Sequence, residues 1–237
     1  MRKIIINEKK YVSDILTNKE KPDIGFYPFL VLLIKYYCSL YNDLETVREN
    51  VDVQMRNIFK EEYIKEKWYV YICSLFKDNN TKISERKYIT VYAWDMIQVF
   101  KGETDRERKL LFSAYVLAHY MNCNGWINTK TSREISEWFE LSNVVCNNAD
   151  KFKIIGELKG KKLISLSKQC HNLNVKVELL EDYTGESPVF KIVDMENLGN
   201  LLAATYKDGY KQCEICGKLF RIKSNSQIVC PACAKEN

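Results

Sequence analysis

Only two histidines occur in 237 residues, which leaves little from which to build acid–base or nucleophilic catalysis. His119 falls inside an apolar helical stretch, the setting of a hydrogen-bonded core histidine, and His171 falls in a polar loop beside Cys170, the setting of a solvated one. The chain has no phosphate-binding glycine loop, no Gly-x-Ser-x-Gly elbow and no dinucleotide fingerprint. Its carboxylates are many, but no spaced set of them singles out a metal or a sugar. The reading is of a protein that is not an enzyme.

Long apolar runs are missing as well. The most apolar stretch, Phe26 to Tyr41, is broken by Pro28 and Lys35 and bounded by Asn42, whereas a membrane span takes about 20 mostly apolar residues. Met1 to Ile6 offers basic residues and three isoleucines, short of the apolar core of a secretion signal. A disulfide framework is also unexpected. Four of the nine cysteines sit at metal spacing, and the other five (Cys38, Cys73, Cys123, Cys146, Cys170) are scattered singly and cannot all pair. That usage fits the reducing cytoplasm, with no membrane partner.

What is present is an ordinary globular composition. Hydrophobic residues make up 46% and charged residues 28%, enough to bury a core without help from a metal. Only the last few dozen residues are too few to hold themselves together by apolar burial.

The expected fold is mainly α, in four segments. Residues 1–80 form a helical N-terminal region. Phe29, Leu32, Leu33, Tyr36 and Tyr37 recur at i, i+3, i+4, i+7, and Val47, Val51, Met55 and Phe59 share one face of a helix over 44–59. A third helix spans about 63–76 and stops at Asp78-Asn79-Asn80. Such stripes of tyrosine and leucine read as core, not as a cofactor box.

Residues 81–182 are expected to form a winged-helix-like domain with a small β-hairpin. Thr90 would cap a helix running to Phe100. Thr104-Asp105-Arg106-Glu107 is a capping box for a helix carrying Leu110, Leu111, Tyr115, Leu117 and Tyr120. A short extended segment, Trp126-Ile127-Asn128, leads to a second capping box, Thr131-Ser132-Arg133-Glu134, with Ile135, Trp138 and Phe139 turned inward. A further helix runs from Asn147 or Asn148 to Lys159, with Phe152, Ile155 and Leu158 as its buried face and Gly160 as its left-handed stop. The period then changes to two in Leu163–Ser167 and Val175–Leu179. Helix, short strand, helix, helix and hairpin is the order of a winged helix. Residues 183–209 read as a connector made of a strand and a short helix.

Residues 210–237 carry the strongest motif. Cys213-Glu-Ile-Cys216 and Cys230-Pro-Ala-Cys233 are separated by 13 residues, and each CxxC turn lets two thiolates converge on one ion. Gly217 follows the first turn, where a residue without a side chain is favoured. Four cysteines without histidine predict a closed, tetrahedral, non-catalytic Zn2+ site in a zinc ribbon. A thioredoxin-type redox site would use one such motif at the start of a helix.

The Glu157-Leu158-x-x-x-x-Leu163-Ile164-Ser165 passage and the tail from Cys213-x-x-Cys216-Gly217 through Ser224-Asn225-Ser226-Gln227 to Cys230-x-x-Cys233 carry a resemblance. The layout is similar to uncharacterised proteins of phages and mobile elements in low-GC bacteria. Those proteins combine a helical start, a winged-helix-like middle and a terminal four-cysteine ribbon.

Charge adds a partner. The net charge is +5, and seven lysines between Lys151 and Lys176 face one acid, Glu157, before Glu181, Asp182 and Glu186 reverse the sign. A nucleic-acid binder would place Asn147, Asn148, Lys151 and Lys153 in the major groove and Lys161, Lys162, Lys168 and Lys176 on phosphates. Asp150 and the lack of arginine in that helix weigh against it. The alternative is a non-enzymatic inhibitor or adaptor that binds a host protein or nucleoprotein complex, such as a defence complex, through the acidic stretch and the aromatic N-terminal half.

Overall fold

The computed structural model describes residues 3–77, 82–167, 173–181, 183, 185–186, 188–205, 210–217, 219–224 and 226–236. Among the described residues the protein is mainly helical, with three small sheets, and its chain divides into two compact units. One unit is Ile5–Lys87; the other is Tyr88–Asn237 together with Met1–Ile4. Among the described residues no helix is long and apolar enough to cross a membrane.

The first unit holds α1 (Glu8–Asn18), α2 (Phe26–Cys38), α3 (Leu44–Phe59), a 3-10 turn over Lys60–Glu62, and α4 (Lys65–Lys77). Each start has a local cause. Asn7 accepts from the Lys10 N–H at 2.9 Å to open α1, and Asp43 accepts from Thr46 N–H at 2.8 Å to open α3. Phe29, Leu33, Val47, Val51, Met55, Phe59 and Ile72 form the buried seam, with Phe26 and Trp68 packed on it. The α3 stripe read from spacing is wholly buried; of the α2 stripe, Tyr36 is only partly so.

The second unit runs β1 (Ile89–Tyr92), α5 (Ala93–Phe100), α6 (Asp105–Met121), β2 (Trp126–Ile127), α7 (Ser132–Leu141), α8 (Asn148–Gly160), β3 (Ser165–Leu166), β4 (Val175–Lys176), β5 (Pro188–Ile192), α9 (Leu198–Thr205), β6 (Tyr210–Gln212), β7 (Leu219–Arg221) and α10 (Cys233–Glu236). Helix α6 is its axis. From Leu110 to Val116 every residue is buried, as an internal helix requires, and α5, β1, β2, α7 and α9 pack around it. Both capping boxes form: Thr104 Oγ1 accepts from Glu107 N–H and Glu107 Oε2 from Thr104 N–H, and Thr131 and Glu134 repeat the exchange.

Among the described residues, four antiparallel pairings in three sheets close the unit. β1 pairs with β5, Ile89 opposite Ile192; β2, β4 and β3 form one sheet in that order; β6 pairs with β7. The segment read as a connector therefore contributes β5 and α9 to this unit's core, where Phe190, Ile192, Leu198 and Leu202 are buried. Thr90, expected to cap a helix, lies instead within β1. Ile89 and Val91 are buried in alternation with it, and the helix starts only after Tyr92, whose N–H donates to Asp95 Oδ2 at 2.9 Å. The β-branched Ile-Thr-Val run finds its partner about 100 residues away, in β5, which local spacing does not reveal.

Helix α8 also differs from expectation. Its buried residues are Ile154, Ile155 and Leu158, whereas Phe152 is 48% exposed. Ile154 completes an i, i+1, i+4 seam with Ile155 and Leu158, and Phe152 then falls outside its arc. The left-handed residue after the helix is Lys162 (φ 58°), not Gly160.

Candidate metal centre and basic face

The tail is a hairpin and a single helical turn folded around sulfur. β6 delivers Cys213, the following turn delivers Cys216, and Cys230 and Cys233 flank the start of α10. Gly217 takes a positive φ of 68° and donates its N–H to Cys213 O at 2.8 Å, which closes the first knuckle. Cys230 N–H points at Cys213 Sγ (3.3 Å) and Cys233 N–H at Cys230 Sγ (3.5 Å). Phe220, Ile222 and Val229 pack against the cluster. Gln212 Nε2 donates to Lys191 O (2.7 Å) and to Gly217 O (2.8 Å), which fastens the first knuckle to β5.

All four sulfurs lie within 4.8 Å of one another, and Cys216 Sγ is 3.7 Å from Cys230 Sγ. A disulfide would need about 2.05 Å, and none of the eight described cysteines is in one. Four ligands about 2.3 Å from a common centre stand about 3.8 Å apart at tetrahedral corners. The electrostatics point the same way. Burial raises the Cys213 thiol, but the N–H groups of Cys216, Cys230 and Ile215 outweigh it and bring the value down to about 6. Cys216 and Cys230, then burial and Cys213, push Cys233 up to about 12. Four such sulfurs cannot all carry charge without a cation among them. The cluster can hold one metal ion.

The basic candidates are placed unequally. Asn147 caps α8, its Oδ1 accepting from Asp150 N–H at 2.9 Å. Asn148 Oδ1 and Ser136 Oγ both accept from Lys151 Nζ (3.2 and 2.9 Å), so Lys151 leans onto α7 rather than projecting beside Lys153. Lys153 is exposed on α8. Lys161 is held by Glu103 Oε2 (2.6 Å) and Glu107 Oε1 (2.8 Å). Lys162 and Lys176 have no carboxylate partner among the described residues, and Lys176 Nζ lies 5.7 Å from the Trp126 ring centre. Lys168 and His171 lie outside the described residues.

Lys161, Lys162 and Lys176 line one cavity with Gln98, Lys101 and Glu178. Spacing could not have found Gln98 on α5 or Lys101 just after it, some 60 residues earlier. His119 serves the interior. Its Nε2 is 2.8 Å from Asp95 Oδ2, and the Tyr183 hydroxyl donates to Asp95 Oδ1 at 3.0 Å. Asp95 thus closes the start of α5 and ties it to α6. Compared with protein-family models, curated proteins and solved structures, the chain matches none.

Proposed function

We propose that this protein is a non-enzymatic nucleic-acid-binding protein of a phage or mobile element, regulatory or accessory to replication, with a winged-helix module and a structural zinc ribbon. The observation that carries the reading is the succession α6, β2, α7, α8, β3, β4 with sheet order β2-β4-β3. In a winged helix that succession makes the second helix of the pair, here α8, the one that enters the major groove. Lys153 on α8 is the cation left for phosphates beside the groove, and Asn148 is the base reader. The cysteine cluster, with four sulfurs and no histidine, suits zinc.

The test is a salt titration of duplex binding by wild type and by Lys153→Glu. Wild type should show a steep slope of log affinity against log salt, and the variant should lose about one unit of it per phosphate contact. Identical curves for the two proteins would remove α8 from the interface.

A second reading has its own observation. Val145 is fully exposed and Phe152 is 48% exposed, beside and on α8, an apolar pair that suits a protein partner. On that reading the protein is an inhibitor or adaptor of a host nucleoprotein complex. Tagged protein would then retain its partner after nuclease treatment, whereas a nucleic-acid binder would lose its copurifying material.

A further inference from the structure

From the second unit we infer a site for a phosphomonoester, the terminal phosphate of a nucleotide or of a nucleic-acid strand. The inference goes beyond groove recognition by α8 and does not need it. The site is a cavity of about 280 Å³, close to the lower end of those that hold small molecules (roughly 300–1,000 Å³). It opens between the end of α5, the turn after α8, and β4.

Its charge is unbalanced. Lys161 is neutralised by Glu103 and Glu107. Lys101, Lys162 and Lys176 also line the cavity, and among the described residues none of them has a carboxylate partner. One acid, Glu178, lines the cavity as well. Lys101 and Lys176 are instead placed near the faces of Trp94 and Trp126, at 6.0 and 5.7 Å, which steadies an ammonium without cancelling its charge. Three ammonium groups against the one carboxylate of Glu178 leave an excess of positive charge around one concavity, which favours a compact dianion, and a phosphomonoester is close to that charge near pH 7.

A second observation is independent of charge. Gln98 is only 7% exposed, lines the cavity, and has an Nε2 with no hydrogen-bond partner. Its orientation is set by Lys101, whose Nζ donates to Gln98 Oε1 at 2.5 Å. An ammonium only donates, so the amide oxygen must face it and the amide N–H2 must face away. A buried donor without an acceptor costs free energy, so a small shift of the Gln98 side chain that brings Nε2 to a phosphate oxygen in the cavity is favoured. Ser165, an exposed residue that also lines the cavity, offers a further hydroxyl donor. Glu178 can accept from a hydroxyl on the remainder of the ligand, which favours an ester over bare phosphate.

The experiment is calorimetric titration of the full chain at low salt with AMP, adenosine and inorganic phosphate, for wild type, Lys101→Ala, Lys176→Ala and Lys153→Glu. AMP should bind saturably at one site per chain, adenosine should not bind, and phosphate should bind more weakly than AMP. Lys101→Ala and Lys176→Ala should each weaken AMP by about tenfold or more, the loss of one charge-assisted contact. Lys101→Ala should keep duplex binding. Lys153→Glu should keep AMP even where it loses duplex, so failure of this site and failure of groove recognition are separable. A 5′-phosphorylated oligonucleotide that displaces AMP, with a 5′-hydroxyl twin that does not, would identify strand ends as the source; displacement by neither would identify the free nucleotide. Equal displacement by both would mean that internal backbone phosphates fill the cavity, and would overturn the inference. So would absence of saturable AMP binding, or unchanged AMP affinity in a folded Lys101→Ala protein.

Discussion

Lys161 Nζ lies 2.8 Å from Glu107 Oε1, joining the turn after α8 to the first turn of α6. The same carboxylate, through Oε2, accepts the N–H groups of Glu103 and Thr104. Burial raises the Glu107 carboxyl, but Lys161 and those N–H groups outweigh it and hold the group below its ordinary range. A carboxylate depressed on folding stabilises fully above its unfolded value, about 4.3, and loses that contribution as pH falls through the folded value. Glu107→Gln, which can keep the capping box but not the charge, should therefore flatten the loss of stability below about pH 4. Glu107→Ala should cost about 1 kcal/mol at neutral pH, the usual price of a lost cap. Urea melts across pH check both, and an unaltered pH profile for the glutamine variant would refute the assignment.

Metal removal should act locally. Native protein should carry one zinc per chain by elemental analysis, and Cys216→Ser should lose it. The second unit's core around α6 is apolar and makes no use of the cysteines, so the helical far-ultraviolet signal should survive in that variant. The hairpin β6–β7 and its Gln212 bonds to Lys191 and Gly217 should open, visible as faster amide exchange near residue 212. Collapse of all cooperative unfolding would instead make the cysteine module integral to the unit.

Two helical glycines should respond with opposite signs. A Cβ on Gly199 would stand 1.8 Å from Ser142 O, backbone that cannot step aside. Gly199→Ala should cost about 2 kcal/mol or more, by forcing α9 away from the end of α7. A Cβ on Gly156 meets nothing within 4 Å, and Gly156→Ala in exposed helix should stabilise by up to about 1 kcal/mol. Thermal melts of the pair test the packing of α9 directly. Equal shifts for the two variants would contradict it.

The exposed aromatic on α8 makes a fourth comparison. Phe152→Ala should change stability by no more than about 0.5 kcal/mol, whereas Ile154→Ala should cost about 2–4 kcal/mol. A large loss for Phe152→Ala would return that ring to the core and restore the buried face expected from spacing.

Much of this molecule was legible locally. The boxes at Thr104 and Thr131 and the stripe Val47, Val51, Met55, Phe59 each depend on contacts within a few residues, so the order of side chains determined them. The convergence of Cys213, Cys216, Cys230 and Cys233 was legible for a related reason. A CxxC turn brings its own pair together, and a short hairpin brings the two pairs to one point.

Tertiary structure decided what depends on distant partners. Ile89–Tyr92 became a strand because Pro188–Ile192 was there to pair with it, against a local reading that favoured a helix cap. Phe152 was left outside and Ile154 taken inside because the seam of α8 is set by what packs on it, and a seven-residue window allows either arc. Lys161 was taken by Glu103 and Glu107, and Lys101 and Gln98 were brought beside Lys162 and Lys176, by the packing of α5, α6 and α8. Charge is a property of residues and could be counted along the chain; which charges remain unpaired is a property of proximity, and only the folded chain assigns it.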